Sequence, residues 1–320
     1  MSLAVIRPRP YRLLIALALC CWAGTAAAVD LGQELRDAAL VGDITAVNAL
    51  LQSGADPNTR TAFGKTALMF AVEENNHDVV DLLLRHGADV NMKSVAGCTA
   101  LTFAAERGDT AMTKTLLTAG AGFRNKTRAG WDALTIATRY DNIEVMRLLV
   151  AAGASLDSAD KHGDTILMAA ITKGHMNAAQ LLIEAGADPD IRNKDGANAL
   201  MVAAIHGRIP VLQKLLEMGI DVNLLSDDGA TALHFAAGAG HLNTAKLLLQ
   251  FGARVNQQDV SGTTALMEAV IADQPDIVAA LLAHGADPAL TDNEQHDAFY
   301  FASMTNNPAV MSQLSRAAGK

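Results

Sequence analysis

The chain has 320 residues, half of them hydrophobic but only 4% aromatic, with 18% charged residues and a formal charge of −9. That composition excludes a disordered tail and a small disulfide scaffold, and it provides enough length for a large core built from aliphatic and small side chains. The net acidity also argues against a nucleic-acid partner, whose phosphates demand the opposite sign.

In chain order, the first element is a leader. Arg7, Arg9 and Arg12 precede the apolar run Leu13–Trp22, and Ala26-Ala27-Ala28 closes it with small residues. This reads as a Sec-type signal peptide over residues 1–28, cut after Ala28. The apolar run is too short to span a bilayer, so stable membrane insertion is not expected. Pro8 between Arg7 and Arg9 excludes a twin-arginine signal, and Leu19 ahead of Cys20 argues against lipidation. Cleavage removes three basic residues and no acidic one, leaving 22 against 34, or −12. It also leaves Cys98 as the lone cysteine, so no intramolecular disulfide can form.

From there on the sequence repeats itself. Glycine recurs every 33 residues from Gly54 to Gly285, and again from Gly64 to Gly262. Ala71, Ala104, Ala137, Ala170, Ala203, Ala236, Ala269 and Ala302 keep the same interval, as does the leucine series from Leu83 to Leu314. Within one unit, Thr66 can cap a first helix whose Leu68, Ala71 and Val72 share one face. Asn75-Asn76 breaks that helix, and Val79, Val80, Leu83 and Leu84 form the apolar face of a second. Gly87 ends it, because a left-handed residue costs least without a side chain. Ala88–Gly97 is left for an extended turn. Helices this short are marginal alone, so each unit must lean on its neighbours.

The period and the runs Gly64-Lys65-Thr66-Ala67-Leu68-Met69 and Leu82-Leu83-Leu84-Arg85-His86-Gly87-Ala88-Asp89-Val90-Asn91 resemble the ankyrin repeat. The resemblance implies an all-α ankyrin repeat solenoid of stacked helix-turn-helix units with β-hairpin-like turns. It spans a degenerate N-terminal capping repeat at 29–61, seven full repeats at 62–292, and a partial C-terminal capping repeat and tail at 293–320. Two departures bear on rigidity. The family's histidine after the repeated leucine survives only as His234, which puts the ties between adjacent turns in doubt. Thr115 and Lys214 interrupt the leucine run of the second helix, making repeats two and five candidate soft points.

Catalytic motifs are not legible. Gly64-Lys65-Thr66 looks like the end of a phosphate-binding loop, but Thr59 stands where that loop needs glycine. No histidine pair with an acidic partner has metal-site spacing, and one cysteine cannot make a thiolate site. The expectation is therefore a non-enzyme with no cofactor and no metal.

By the family resemblance, partners bind on a concave face of hairpin tips and first-helix ends. Carried over residue by residue, that face includes Arg107, Arg128, Trp131, Arg139, Tyr140, Lys161, His162, Lys173, Lys194 and His206. Trp131 is the one tryptophan left after cleavage, and Trp, Tyr and Arg are enriched at interface hot spots. Across repeats three to five the face carries five Lys/Arg and two acids, a basic stripe on an acidic chain. The expected partner is a protein with an acidic or mixed acidic and apolar surface, met in the periplasm by a monomer. The alternative for the stripe is a solvated face with Trp131 covering a hairpin tip. For function, the alternatives are an inhibitor or immunity-type protein blocking a toxin or hydrolase, or an accessory factor in oxidative-stress defence.

Overall fold

A computed structural model describes residues 30–319; the leader expected at 1–28 lies outside the described residues. The described residues form eighteen helices in nine antiparallel pairs, without a strand. The first pair is α1 (Leu31–Val41) and α2 (Ile44–Gln52), followed by α3 (Ala67–Glu73) with α4 (His77–Arg85) and α5 (Ala100–Arg107) with α6 (Thr110–Thr118). The middle pairs are α7 (Ala133–Arg139) and α8 (Ile143–Ala151), α9 (Ile166–Lys173) and α10 (Met176–Glu184), and α11 (Ala199–Ile205) and α12 (Ile209–Glu217). The last are α13 (Ala232–Gly238) and α14 (Leu242–Gln250), α15 (Ala265–Ile271) and α16 (Pro275–Ala283), and α17 (Ala298–Thr305) and α18 (Pro308–Ala317). Odd-numbered helices stack on odd and even on even, giving two layers. Residues 293–316, read from sequence as a partial unit, form both helices of a pair.

The repeated residues are the core. The alanine column from Ala71 to Ala269 and the leucine column from Leu83 to Leu314 are 0% exposed. Each buried leucine contributes about 1.5–3 kcal/mol, while each alanine lets neighbouring first helices approach closely. The first helix of every unit from α3 to α17 starts at a polar N-cap of the same phase: Thr66, Thr99, Asp132, Thr165, Asn198, Thr231, Thr264 and Asp297. Asp132 is 4% exposed; its Oδ1 accepts from the Thr135 amide and hydroxyl and its Oδ2 from Ser158, each at 2.8 Å.

Adjacent units are also joined by ties at other positions. At the start of the second helices, Asn76, Asn142, His175, Arg208 and His241 reach back to carbonyls ending the preceding unit's first helix. Asn142 Nδ2, for example, donates to the Ala105 and Glu106 carbonyls at 2.8 and 3.0 Å. A second row, Asn58, Asn91, Asn223 and Asn256, donates to a carbonyl and accepts from an amide of the next unit. Met69, Met168, Met201 and Met267 fill the histidine's position as buried apolar groups.

The core stays packed around Thr115 and Lys214. Lys214 is exposed and Thr115 only half-buried, while the adjacent Leu116, Leu215 and Leu216 stay buried. Both α6 and α12 run their nine residues unbroken.

Candidate partner-binding face

Each unit's connecting loop ends in a finger, a five-residue turn closed by its own backbone hydrogen bond, such as Thr127 N to Trp131 O at 2.8 Å. The turn needs a left-handed fourth residue, which explains the glycine series from Gly64 to Gly262. The fingers and the C-terminal ends of the first helices share one face, and they carry the residues expected to bind.

Four of those residues gather in one cleft. Arg128, Trp131, Arg139 and Tyr140 line a space of about 480 Å³ together with Ala96, Cys98, Glu106, Thr127, Ala129 and Ile136. Trp131 is held at the finger base, its amide donating to Thr127 Oγ1 at 3.1 Å. The Arg139 guanidinium, from the last residue of α7, lies over the indole ring at 4.1 Å. That stack orders a cation without neutralising it. Tyr140 is 54% exposed and its hydroxyl donates to Glu106 Oε1 at 2.8 Å. This hydrogen bond and the carboxylate's charge raise the Tyr140 pKa above its ordinary value, so the phenol stays protonated. Trp131 and Arg139 also wall a narrower slit toward the next finger, lined by Ser158, Asp160 and Asp164.

The other expected residues spread along the same face. Arg128, Lys161 and Lys194 occupy the same position on successive fingers, all exposed, with His162 exposed beside Lys161. Lys173 is exposed at the end of α9. Arg107 is turned away from the cleft, donating to the Glu73 carbonyl of the preceding unit. His206 caps α11 and is half-buried; burial, then Arg208 and His241, hold its pKa below the usual histidine value. It is neutral at pH 7 and adds no charge to the stripe.

Sequence reasoning did not place Thr127 or Ile136 at the cleft. Ile136 stands where Phe70 and Phe103 stand in the two preceding units, so a smaller side chain opens the floor. That substitution was the available signal. Cys98 is half-buried in the cleft wall. Among the described residues, no cluster of His, Cys, Asp and Glu is suited to a metal, and no helix is long and apolar enough to cross a membrane.

No curated protein matches the chain. A family model described as ankyrin repeats (3 copies) matches residues 35–127, 104–193, 157–226 and 200–292. These overlapping stretches cover most of the sequence, and with the paired helices, the buried alanine and leucine columns and the finger turns they place the chain in the ankyrin repeat family.

Proposed function

We propose that this protein is a non-catalytic interaction module or scaffold of the periplasm, binding a partner protein through the fingers and first-helix ends of repeats three to five. Ankyrin repeats are protein–protein interaction modules, and the leader-like pattern in residues 1–28 supports export. The observation that carries the reading is the Arg139–Trp131 stack, a preformed aromatic–cation pair beside an open cleft on an exposed face. Residues of these types, held in place before binding, lose little freedom when a partner docks. The exposed row of Arg128, Lys161 and Lys194 supports a partner surface rich in carboxylates, which it would steer and orient.

The test is capture from periplasmic extract with wild-type protein and the Trp131→Ala, Arg139→Ala, Tyr140→Ala triple variant, with circular dichroism to verify folding. A protein retained by wild type and lost by the folded variant is expected. Equal retention would overturn the assignment of this face.

A further inference from the structure

A second space, of about 310 Å³, opens between the loop that enters α11 and the loop that leaves α12, and it shares no lining residue with the Trp131 cleft. Its apolar walls are Met201, Leu224 and Leu225, and Asn198 lines it beside them. Asn198 is 1% exposed. Its Oδ1 accepts from the Met201 amide at 3.1 Å, but its Nδ2 is buried with no hydrogen-bond partner. Buried donors without an acceptor are rare and costly, so this amide marks the space as a place for an acceptor.

The sister units show why the donor is left over. Asp132, at the same phase, caps α7 with one oxygen, and its other oxygen accepts from Ser158, 26 residues on, at 2.8 Å. The residue 26 beyond Asn198 is Leu224, whose side chain has nothing to accept with. Thr66, Thr99, Thr165, Thr231 and Thr264 stand at the same phase with a hydroxyl and no second polar atom.

Charge around the space has one sign. Arg192 is the basic residue of the lining, and it is already committed. Its Nε donates to the Gly196 carbonyl at 2.9 Å, and its Nη2 donates to the Leu225 carbonyl at 2.8 Å and to the Asp227 carboxylate at 2.9 Å. Asp190 and Asp221 belong to the lining and are exposed. Asp188, whose Oδ1 accepts from the Asp190 amide, adds to the same sign. Lys194 and Asp195, the exposed tip of the same finger, lie outside the lining and offset each other.

We infer that this space binds an aliphatic amine carrying a carbonyl oxygen next to its amino group, the chemistry shared by a peptide's amino-terminal residue and a free amino-acid amide. The carbonyl accepts from Asn198 Nδ2. The aliphatic side chain lies against Met201, Leu224 and Leu225, and the ammonium faces Asp190 and Asp221. A free amino acid is disfavoured, because its carboxylate would enter among acids. The site does not depend on the proposed binding face.

The test is nuclear magnetic resonance on the full chain labelled with nitrogen-15, with leucinamide, Leu-Gly-Gly-amide, N-acetyl-leucinamide and leucine as probes. The Asn198 side-chain amide signal is the one absent from the Asn198→Thr variant, which keeps the capping hydroxyl of five sister units; circular dichroism verifies its fold. Leucinamide should shift that signal to saturation, and the acetylated probe and leucine should bind about tenfold more weakly or worse. Asn198→Thr, and separately Leu224→Ser, which supplies an internal acceptor, should weaken leucinamide about fivefold, the worth of one hydrogen bond. Asp190→Asn with Asp221→Asn should reduce leucinamide to the affinity of its acetylated form. Binding of Leu-Gly-Gly-amide as tight as leucinamide assigns the ligand as a peptide end, and binding of leucinamide alone assigns it as a free amide. The inference is overturned if no probe at millimolar concentration moves the Asn198 signal, or if the acetylated probe binds as well as leucinamide. It is also overturned if water exchange at Nδ2 persists unchanged with every probe, which would make solvent the partner of this amide.

Discussion

Two junctions of the same solenoid are built from the same parts and tied very differently. Between repeats six and seven, the fingers share a 2.8 Å bond from Val260 to Asp228, and Asn256 grips both the Gly285 carbonyl and the Asp287 amide. His234, accepting at Nδ1 from the Thr231 amide, donates across the junction to the Thr263 carbonyl at 3.2 Å. Between repeats three and four the finger bond is absent, and Asp157 replaces the asparagine. It accepts from the Asp188 amide at 3.0 Å but has no donor for the Gly186 carbonyl. Helix packing and the His175 tie to Arg139 remain. The difference shows that the core can hold a junction closed while the finger layer opens.

The sharpest way to break this comparison is to add one methyl group to each type of finger. Gly97 and Gly130 have similar positive φ, 79° and 84°. Gly130→Ala should cost about 1 kcal/mol, the left-handed penalty alone. Gly97→Ala should cost about 3 kcal/mol, because its Cβ would sit 3.0 Å from the Arg128 amide and force the backbone to shift. Denaturant unfolding measures both, and equal losses would mean that the third and fourth fingers close in solution. A smaller effect runs in the opposite direction. Asp157→Asn restores the donor found in Asn58, Asn91, Asn223 and Asn256, and should stabilise the chain by about 1 kcal/mol. An unchanged unfolding midpoint would show that the Gly186 carbonyl gains nothing from the added donor.

The smallest effect concerns pH at the well-tied junction. Burial holds the His234 pKa below its ordinary value, opposed by its hydrogen bond to the Thr263 carbonyl. The unfolded chain therefore protonates first as pH falls through about 6.5. The stability contributed by neutral His234 is present above that pH and declines toward the lowered folded pKa. His234→Met, which places the residue found in four sister repeats, removes this dependence. The melting-temperature difference between wild type and variant should change by roughly a few degrees between pH 7.5 and 5.5, always against wild type as pH falls. Parallel melting curves at both values would discard this role.

The helix pairs and the core were legible because strict spacing reports burial directly: Ala137 and Leu149 are core residues for the same reason that they recur. The cleft was half-legible. Trp131, Arg139 and Tyr140 stand out as rare types at variable positions, but Ile136 matters only through the bulk it lacks, which spacing does not reveal. The gap between fingers left no mark on composition, since Gly130 obeys the repeat as faithfully as Gly97. It arises from how two backbones sit across a junction. The ties between helix ends were hidden in the same way, because Asn142, Arg208 and His241 perform one task with three different side chains.

The alanine column has a consequence for recognition. Because each first helix meets the next across the same small side chain, the column acts as a ruler for the first helices, and the fingers follow its graduation except between repeats three and four. Lys161 and Lys194 are then two marks at that pitch, and Arg128 is set off from them by the open junction. A partner whose carboxylates keep that pitch meets both lysines without bending, and engaging one raises the local concentration at the other. Enlarging one buried alanine would rescale the ruler and detune recognition without altering any residue that the partner touches.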